Sequence, residues 1–214
     1  MFPEWFGEPQ PDWPRQVRLA GFPSTDGPAD DGLSGDTIEF CRAGSPPIAF
    51  TFGSGMMHAT GRFHDAIEAC RILGTRGILL TKFPSQLTKA LPTFMHHCAY
   101  APFQKLFPLC AAVVHHGGIG TTAKALAAGV PQLIVPFAYD QKDNAIRVKR
   151  LGAGNWFHPR KPSAEAIAGA LQRCIQAEAT AHAQTIAARF RDRTGTGSAA
   201  DLVDEFVGRK RSRI

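Results

Sequence analysis

Short apolar runs alternate with stretches in which apolar positions recur every three or four residues, and this rhythm begins at Pro47. Ile48 to Phe52 is an apolar run stopped by Gly53-Ser54-Gly55, which predicts a buried strand entering a glycine turn. Phe63, Ala66, Ile67, Cys70 and Leu73 have helical spacing, so 62–73 is expected to be a helix. Further strands are expected at 77–81, near 97–100, and at 111–115, 132–135 and 154–157. Helices are expected at 119–128 and 140–151, and 82–91 reads as a loop with a weak helix. After Pro162 the pattern is helical throughout. Ser163 is a good N-cap with Glu165 in the first turn, and Ile167, Leu171 and Ile175 repeat at i+4. A helix over 181–193, a break at Gly195-Thr196-Gly197 and an amphipathic helix over 198–207 complete the reading. Strands of four to five apolar residues alternating with helices predict an α/β fold, a parallel sheet covered on both faces.

The first 46 residues have a different texture. Half of the 16 prolines precede residue 48, together with the Gly, Asp and Ser run from Ser24 to Asp36. Three regions are therefore expected: a largely extended linker at 1–46, a Rossmann-like domain at 47–195, and a C-terminal helix with a basic tail at 196–214. The abrupt start reads as the second half of something longer.

Composition narrows the function classes. No apolar stretch approaches the ~20 residues of a membrane span, and the N-terminus lacks the basic and apolar regions of a signal peptide. The five cysteines are scattered with no C-x-x-C pair, which argues against a disulfide framework and fits a reducing cytoplasm. The net charge is +6, but Arg209, Lys210, Arg211 and Arg213 account for four of those positives and leave +2 on the rest. This is a solvated tail rather than a nucleic-acid surface, and no nucleic-acid partner is expected. His96-His97 and His115-His116 lie on strands, where neighbours face opposite ways, so neither pair shares a metal.

The densest chemistry lies between Ala111 and Pro136, AAVVHHGGIGTTAKALAAGVPQLIVP. An apolar strand runs into a turn with Gly117, Gly118 and Gly120, and the turn opens directly into a helix. A helix start leaves backbone N–H groups unpaired and carries about half a positive charge. Glycines there let a phosphate approach the backbone. Thr121 and Thr122 add hydroxyl donors, and the strand delivers His116 to the mouth. Tight strand–helix packing would also account for such glycines. Gly118-x-Gly120-x-x-Ala123 fits the loose dinucleotide fingerprint, with Asp140 ~20 residues on. Strands precede it, however, and Pro136 to Tyr139 separate Asp140 from its strand. After that strand, adjacent Asp140 and Gln141 offer two acceptors and an amide donor, suited to sugar hydroxyls; capping of the next helix is the alternative role for Asp140.

HHGGIGTT, AAGVPQLIVP and DQKDNAIRVKRLGAG together resemble the donor-binding C-terminal half of UDP-dependent glycosyltransferases of the GT-B fold, in the sterol and macrolide glucosyltransferase-like branch. The resemblance runs from about Arg18 to Phe157, and Leu19 to Pro23 (LAGFP) looks like that family's interdomain crossing. It implies that His116 and the amides around Gly118, Gly120 and Thr121 hold the donor diphosphate, with Ser54 approaching it from the Gly-Ser-Gly turn. Asp140 and Gln141 would bind the transferred sugar. Tyr100 would stack on the base and Ala101 would bond its edge. Phe103 stands where the family has Gln, and Lys124 where plant members use Glu on the ribose, which leaves uridine and thymidine nucleotides both open.

The same resemblance implies an inverting, metal-independent transfer of a hexose to a hydroxyl of a small hydrophobic acceptor, with no cofactor beyond the nucleotide sugar. The general base and the acceptor pocket would belong to an N-terminal half absent from these 214 residues, so the chain alone is expected to bind donor without good turnover. Two rival readings stay open: an NAD(P)-binding oxidoreductase fragment, and a non-catalytic nucleotide-binding or interaction module.

Overall fold

The short apolar runs form strands and the periodic segments form helices. In chain order these are α1 (Gly35–Arg42), β1 (Ile48–Thr51), α2 (Thr60–Leu73), β2 (Gly77–Leu80), β3 (Met95–Cys98), α3 (Phe103–Leu106) and β4 (Ala112–His115). There follow α4 (Ile119–Ala128), β5 (Gln132–Ile134), α5 (Gln141–Arg150), β6 (Gly154–Trp156), α6 (Ala164–Cys174), α7 (Ala177–Ala188) and α8 (Gly195–Arg211). The structure, a computed structural model, describes residues 2–23, 32–53, 60–157, 162–190 and 195–211, with side chains to 208 in the last segment. By packing, the chain divides into two units, Pro28–Ala188 and Met1–Gly27 with Arg189–Ile214.

In the larger unit six parallel strands pair in the order β3-β2-β1-β4-β5-β6. Alternate residues of each strand face opposite sides. Ile48, Phe50, Leu79, Val114 and Leu133 join Phe63 and Ile67 of α2 and Leu171 of α6 in one core layer. Ala49, Ile78, Leu80 and Val113 join Leu106, Phe107 and Ala125 in the other. The central strands β1, β2 and β4 are buried on both faces, which is why they read as continuous apolar runs. The Rossmann-like expectation is met.

Several local expectations change. The segment 1–46 is not simply extended: α1 forms there, with the Ser34 hydroxyl accepting from the Thr37 amide as N-cap. Phe40 stacks on His96 at 5.1 Å and Thr37 Oγ1 lies 3.0 Å from His96 Nε2. So α1 covers the edge strand β3, and it groups with the sheet unit, which begins at 28 rather than 47. The neighbouring His97 bonds the Thr81 carbonyl through Nε2 at 2.8 Å, so both histidines are packing residues. Helix α7 begins at Ala177, four residues earlier than its pattern indicated.

In the smaller unit, Trp5, Phe6, Phe22 and Phe190 form an aromatic cluster. Phe22 and Phe190 stack at 5.7 Å, and Phe6 meets Phe22 edge-on at 5.0 Å. The Gly195 to Gly197 stretch is not a break but the first turn of α8. A side chain at Gly195 would collide with the Phe22 carbonyl, so close packing accounts for that glycine. Val203 and Phe206 on α8 are each 61% exposed.

Candidate functional site: a glycine-lined helix mouth at the sheet switch point

The strand order reverses between β1 and β4, and ligands of open α/β sheets bind beyond the carboxyl ends of the strands at such a point. The last residue of β4, His115, is fully buried. Its Nδ1 accepts from the Gly117 amide at 3.1 Å, so the other nitrogen carries the proton and donates to Gln132 Oε1 at 2.8 Å. Burial pushes the imidazole down to about 3, although the Gln132 bond opposes the shift. His115 is thus a neutral buckle that fastens the turn to the sheet.

The next residue points the other way. The His116 ring lies between two glycine backbones: a Cβ on Gly53 would stand 3.1 Å from its Cε1, and one on Gly118 would stand 2.5 Å from its Nε2. Both glycines are therefore explained by His116 itself. Burial lowers the basicity of His116, while the Asp140 carboxylate and the Thr51 backbone work against that effect. His116 Nδ1 is buried with no hydrogen-bond partner.

Gly118 is the N-cap of α4 and supplies no capping side chain. The amides of Ile119, Gly120 and Thr121 consequently have no intrahelical acceptor, and the first bond into the helix is Thr122 N to Gly118 O at 3.0 Å. Gly120 is exposed, and a Cβ there would meet nothing within 4 Å. Internal packing does not require that glycine; an approaching anion would. One expected donor is lost, because Thr122 is buried and its hydroxyl bonds the Gly118 carbonyl at 3.0 Å. Thr121 keeps its place at the mouth, half-buried.

Asp140 is exposed at the N-cap of α5 but makes no backbone cap bond, so the capping role weighed for it is not observed. Its Oδ2 accepts from Asn144 Nδ2 at 2.9 Å. Gln141 Oε1 accepts from the amides of Phe137 at 2.7 Å and Ala138 at 3.1 Å. That carbonyl shapes its own loop, which corrects the expectation of a Gln141 acceptor for sugar hydroxyls and leaves its NH₂ as the available donor. Just before Asp140, Tyr139 stands 95% exposed with φ of 58°, a backbone conformation rare for a non-glycine residue. Across the loop, Arg62 lies 5.4 Å over the Phe137 ring, with Nη1 buried and without a hydrogen-bond partner.

The residues expected around the base follow β3. Tyr100 is 68% exposed two positions past the strand, and Ala101 is buried. Phe103 turns inward to stack on Phe107 at 4.5 Å, so its ring belongs to the core layer rather than to a ligand edge. Lys124 sits half-buried on α4, against which α3 packs. Ser54 lies outside the described residues. No group of three or more His, Cys, Asp or Glu among the described residues could hold a metal, and no described helix is long and apolar enough to cross a membrane.

The sequence reading missed His115 and Asn144 as organisers of the site. Their signals were present: a histidine inside a buried strand, and an asparagine one turn after Asp140 on the same helix face.

Residues 78–203, more than half of the chain, match the erythromycin biosynthesis protein CIII-like C-terminal domain. An uncharacterized glycosyltransferase of Mycobacterium leprae (strain TN) is 35% identical over 184 residues, 83% of this chain and 43% of the relative. Glycosyltransferase GtfE of Amycolatopsis orientalis is 35% identical over 190 residues, 87% of this chain and 45% of the relative. The glycosyltransferase VinC, solved in complex with dTDP, superposes with a TM-score of 0.73 at 26% identity, covering 94% of this chain and 50% of that one. The chain spans a little under half the length of these two curated relatives. It belongs to the family of erythromycin biosynthesis protein CIII-like C-terminal domains, the Rossmann-like C-terminal half of GT-B glycosyltransferases.

Proposed function

We propose that this chain is the nucleotide-sugar-binding half of an inverting glycosyltransferase that transfers a hexose to a hydroxyl of a small hydrophobic acceptor. The observation that carries this reading is the mouth of α4, where uncapped amides, an exposed Gly120 with empty space beside it, and His116 converge. The diphosphate of UDP or dTDP occupies that mouth, and both nucleotides fit the reading because dTDP is bound by the similar VinC. Asp140 accepts from hydroxyls of the transferred sugar and Gln141 donates to them through its NH₂. Tyr100 stacks on the base, with Ala101 and Lys124 along the nucleoside side.

In the reaction, the bond between the anomeric carbon and the β-phosphate oxygen breaks as the acceptor oxygen forms its bond from the opposite face. The acceptor proton passes to a base in the N-terminal half, and the diphosphate leaves with an added negative charge. The α4 amides and an N–H of His116 stabilise that charge, in the manner of an oxyanion hole. No metal is required in this scheme. The N-terminal half binds the acceptor. The compartment is the cytoplasm.

His116→Ala tests the assignment. Loss of one charge-assisted hydrogen bond, ~1.5–3 kcal/mol, weakens UDP about ten- to a hundredfold in a calorimetric titration. An unchanged UDP affinity in a folded variant removes His116 from the site.

A further inference from the structure

The hydrogen bonds around Asn144 join two parts of the site that the proposed reaction uses separately. Asn144 stands in the first turn of α5 and is 4% exposed. Its Nδ2 carries two hydrogens and donates both: one to the Gly117 carbonyl at 2.9 Å, the other to Asp140 Oδ2 at 2.9 Å. Gly117 is the hinge of the phosphate turn, with φ of +92°, and its own amide is held by His115. A single buried amide therefore ties the turn that aims the α4 amides to the carboxylate that faces the sugar.

We infer that Asn144 is a positioning residue that sets the spacing between the diphosphate mouth and the sugar-recognising carboxylate, so that a nucleotide sugar meets both in register. The inference rests on the donor-binding reading given above. A nucleotide sugar is one covalent ligand, so its sugar gains the Asp140 contact only if that carboxylate is already placed relative to the phosphate site. Free Asp140 rotamers would lose most of that gain to ordering. Free nucleotide lacks the sugar and gains nothing from the Asp140 contact.

The test is the ratio of UDP-glucose to UDP affinity, measured calorimetrically on the 214-residue chain and its variants. Asp140→Ala lowers UDP-glucose affinity about tenfold and UDP affinity less than twofold. Asn144→Ala reproduces most of that selective loss, and adding Asp140→Ala to it costs less than a further twofold. Asn144→Leu keeps the branched shape, removes both donors without adding a charge and gives the same pattern. A role in stability alone would lower the melting temperature and leave the ratio unchanged, and that result overturns the inference even though UDP still binds.

A ligand-free measurement separates the two readings. In wild type, Asp140→Asn shifts the amide resonances of Gly117 and Gly118; with Asn144 replaced by Ala the same change shifts them less than half as far. Equal shifts in both backgrounds contradict the coupling whether or not any nucleotide binds. A wild-type chain that binds neither UDP nor UDP-glucose but shows the Asn144-dependent shifts refutes the donor reading and leaves the spacing role standing.

Discussion

Acidification from pH 6.5 to pH 4 is expected to remove roughly 3 kcal/mol of folding stability through His115 alone. The sign follows from the direction of its shift. The folded imidazole is pushed down to about 3, whereas the unfolded one titrates near the ordinary 6.5. Above pH 6.5 both states are neutral and His115 contributes no pH dependence. Between 6.5 and 3 the unfolded chain takes up a proton that the native state refuses, so stability falls by ~1.4 kcal/mol per pH unit. Accepting the proton would turn Nδ1 from an acceptor into a donor facing the Gly117 N–H, breaking the bond that holds the turn. Urea unfolding at pH 7, 5 and 4 measures this, with His115→Gln as the control. His116 and His96 are also pushed down by burial, so they add to the acid slope of both proteins. The difference between wild type and variant isolates His115. Identical slopes would show that His115 is not the buried neutral group described.

Gly117→Ala is expected to cost about 2–5 kcal/mol. With φ of +92° the position demands a conformation that costs an L-residue ~1–2 kcal/mol. The new Cβ would also stand 2.8 Å from Ile134 Cγ2 and 2.9 Å from the Gln141 carbonyl oxygen. The second neighbour is backbone and cannot swing aside, and overpacking of this kind costs ~1–3 kcal/mol more. Any shift also pulls the Gly117 carbonyl from Asn144 and its amide from His115. Stability and nucleotide affinity should fall together. Gly120→Ala provides the contrast within the same experiment: nothing lies within 4 Å of its Cβ, so stability holds or rises slightly while UDP affinity falls. If Gly117→Ala melts like wild type, the turn is not wedged between β5 and α5.

These two glycines also show what the sequence could and could not convey. The strand–turn–helix pattern was legible because buried parallel strands read as unbroken apolar runs and α4 starts directly at the glycines. Ser163 capping α6 through the Ala166 amide was legible because the N-cap position constrains residue type strongly. Helix α1 was not, since eight mostly polar residues among prolines carry little periodicity, and its reason to fold is an aromatic contact with His96 distant in sequence. Residue types likewise do not reveal which partner a polar group has chosen. The Thr122 hydroxyl and the Gln141 carbonyl looked available to a ligand, yet each satisfies a need of the fold, as does the Phe103 ring stacked on Phe107. Asn144 is the reverse case, an unremarked helix residue whose two bonds draw the site together.

On the proposed function, the start of α4 receives the diphosphate of a nucleotide sugar. Amide chemical-shift mapping during a titration with UDP tests it most directly, with NAD as the competing ligand. The expected result is saturable shifts concentrated at Ile119, Gly120 and Thr121, extending to His116, at UDP concentrations where NAD moves none of them. Shifts absent from that stretch while UDP binds elsewhere, or a stronger response there to NAD, would contradict the account.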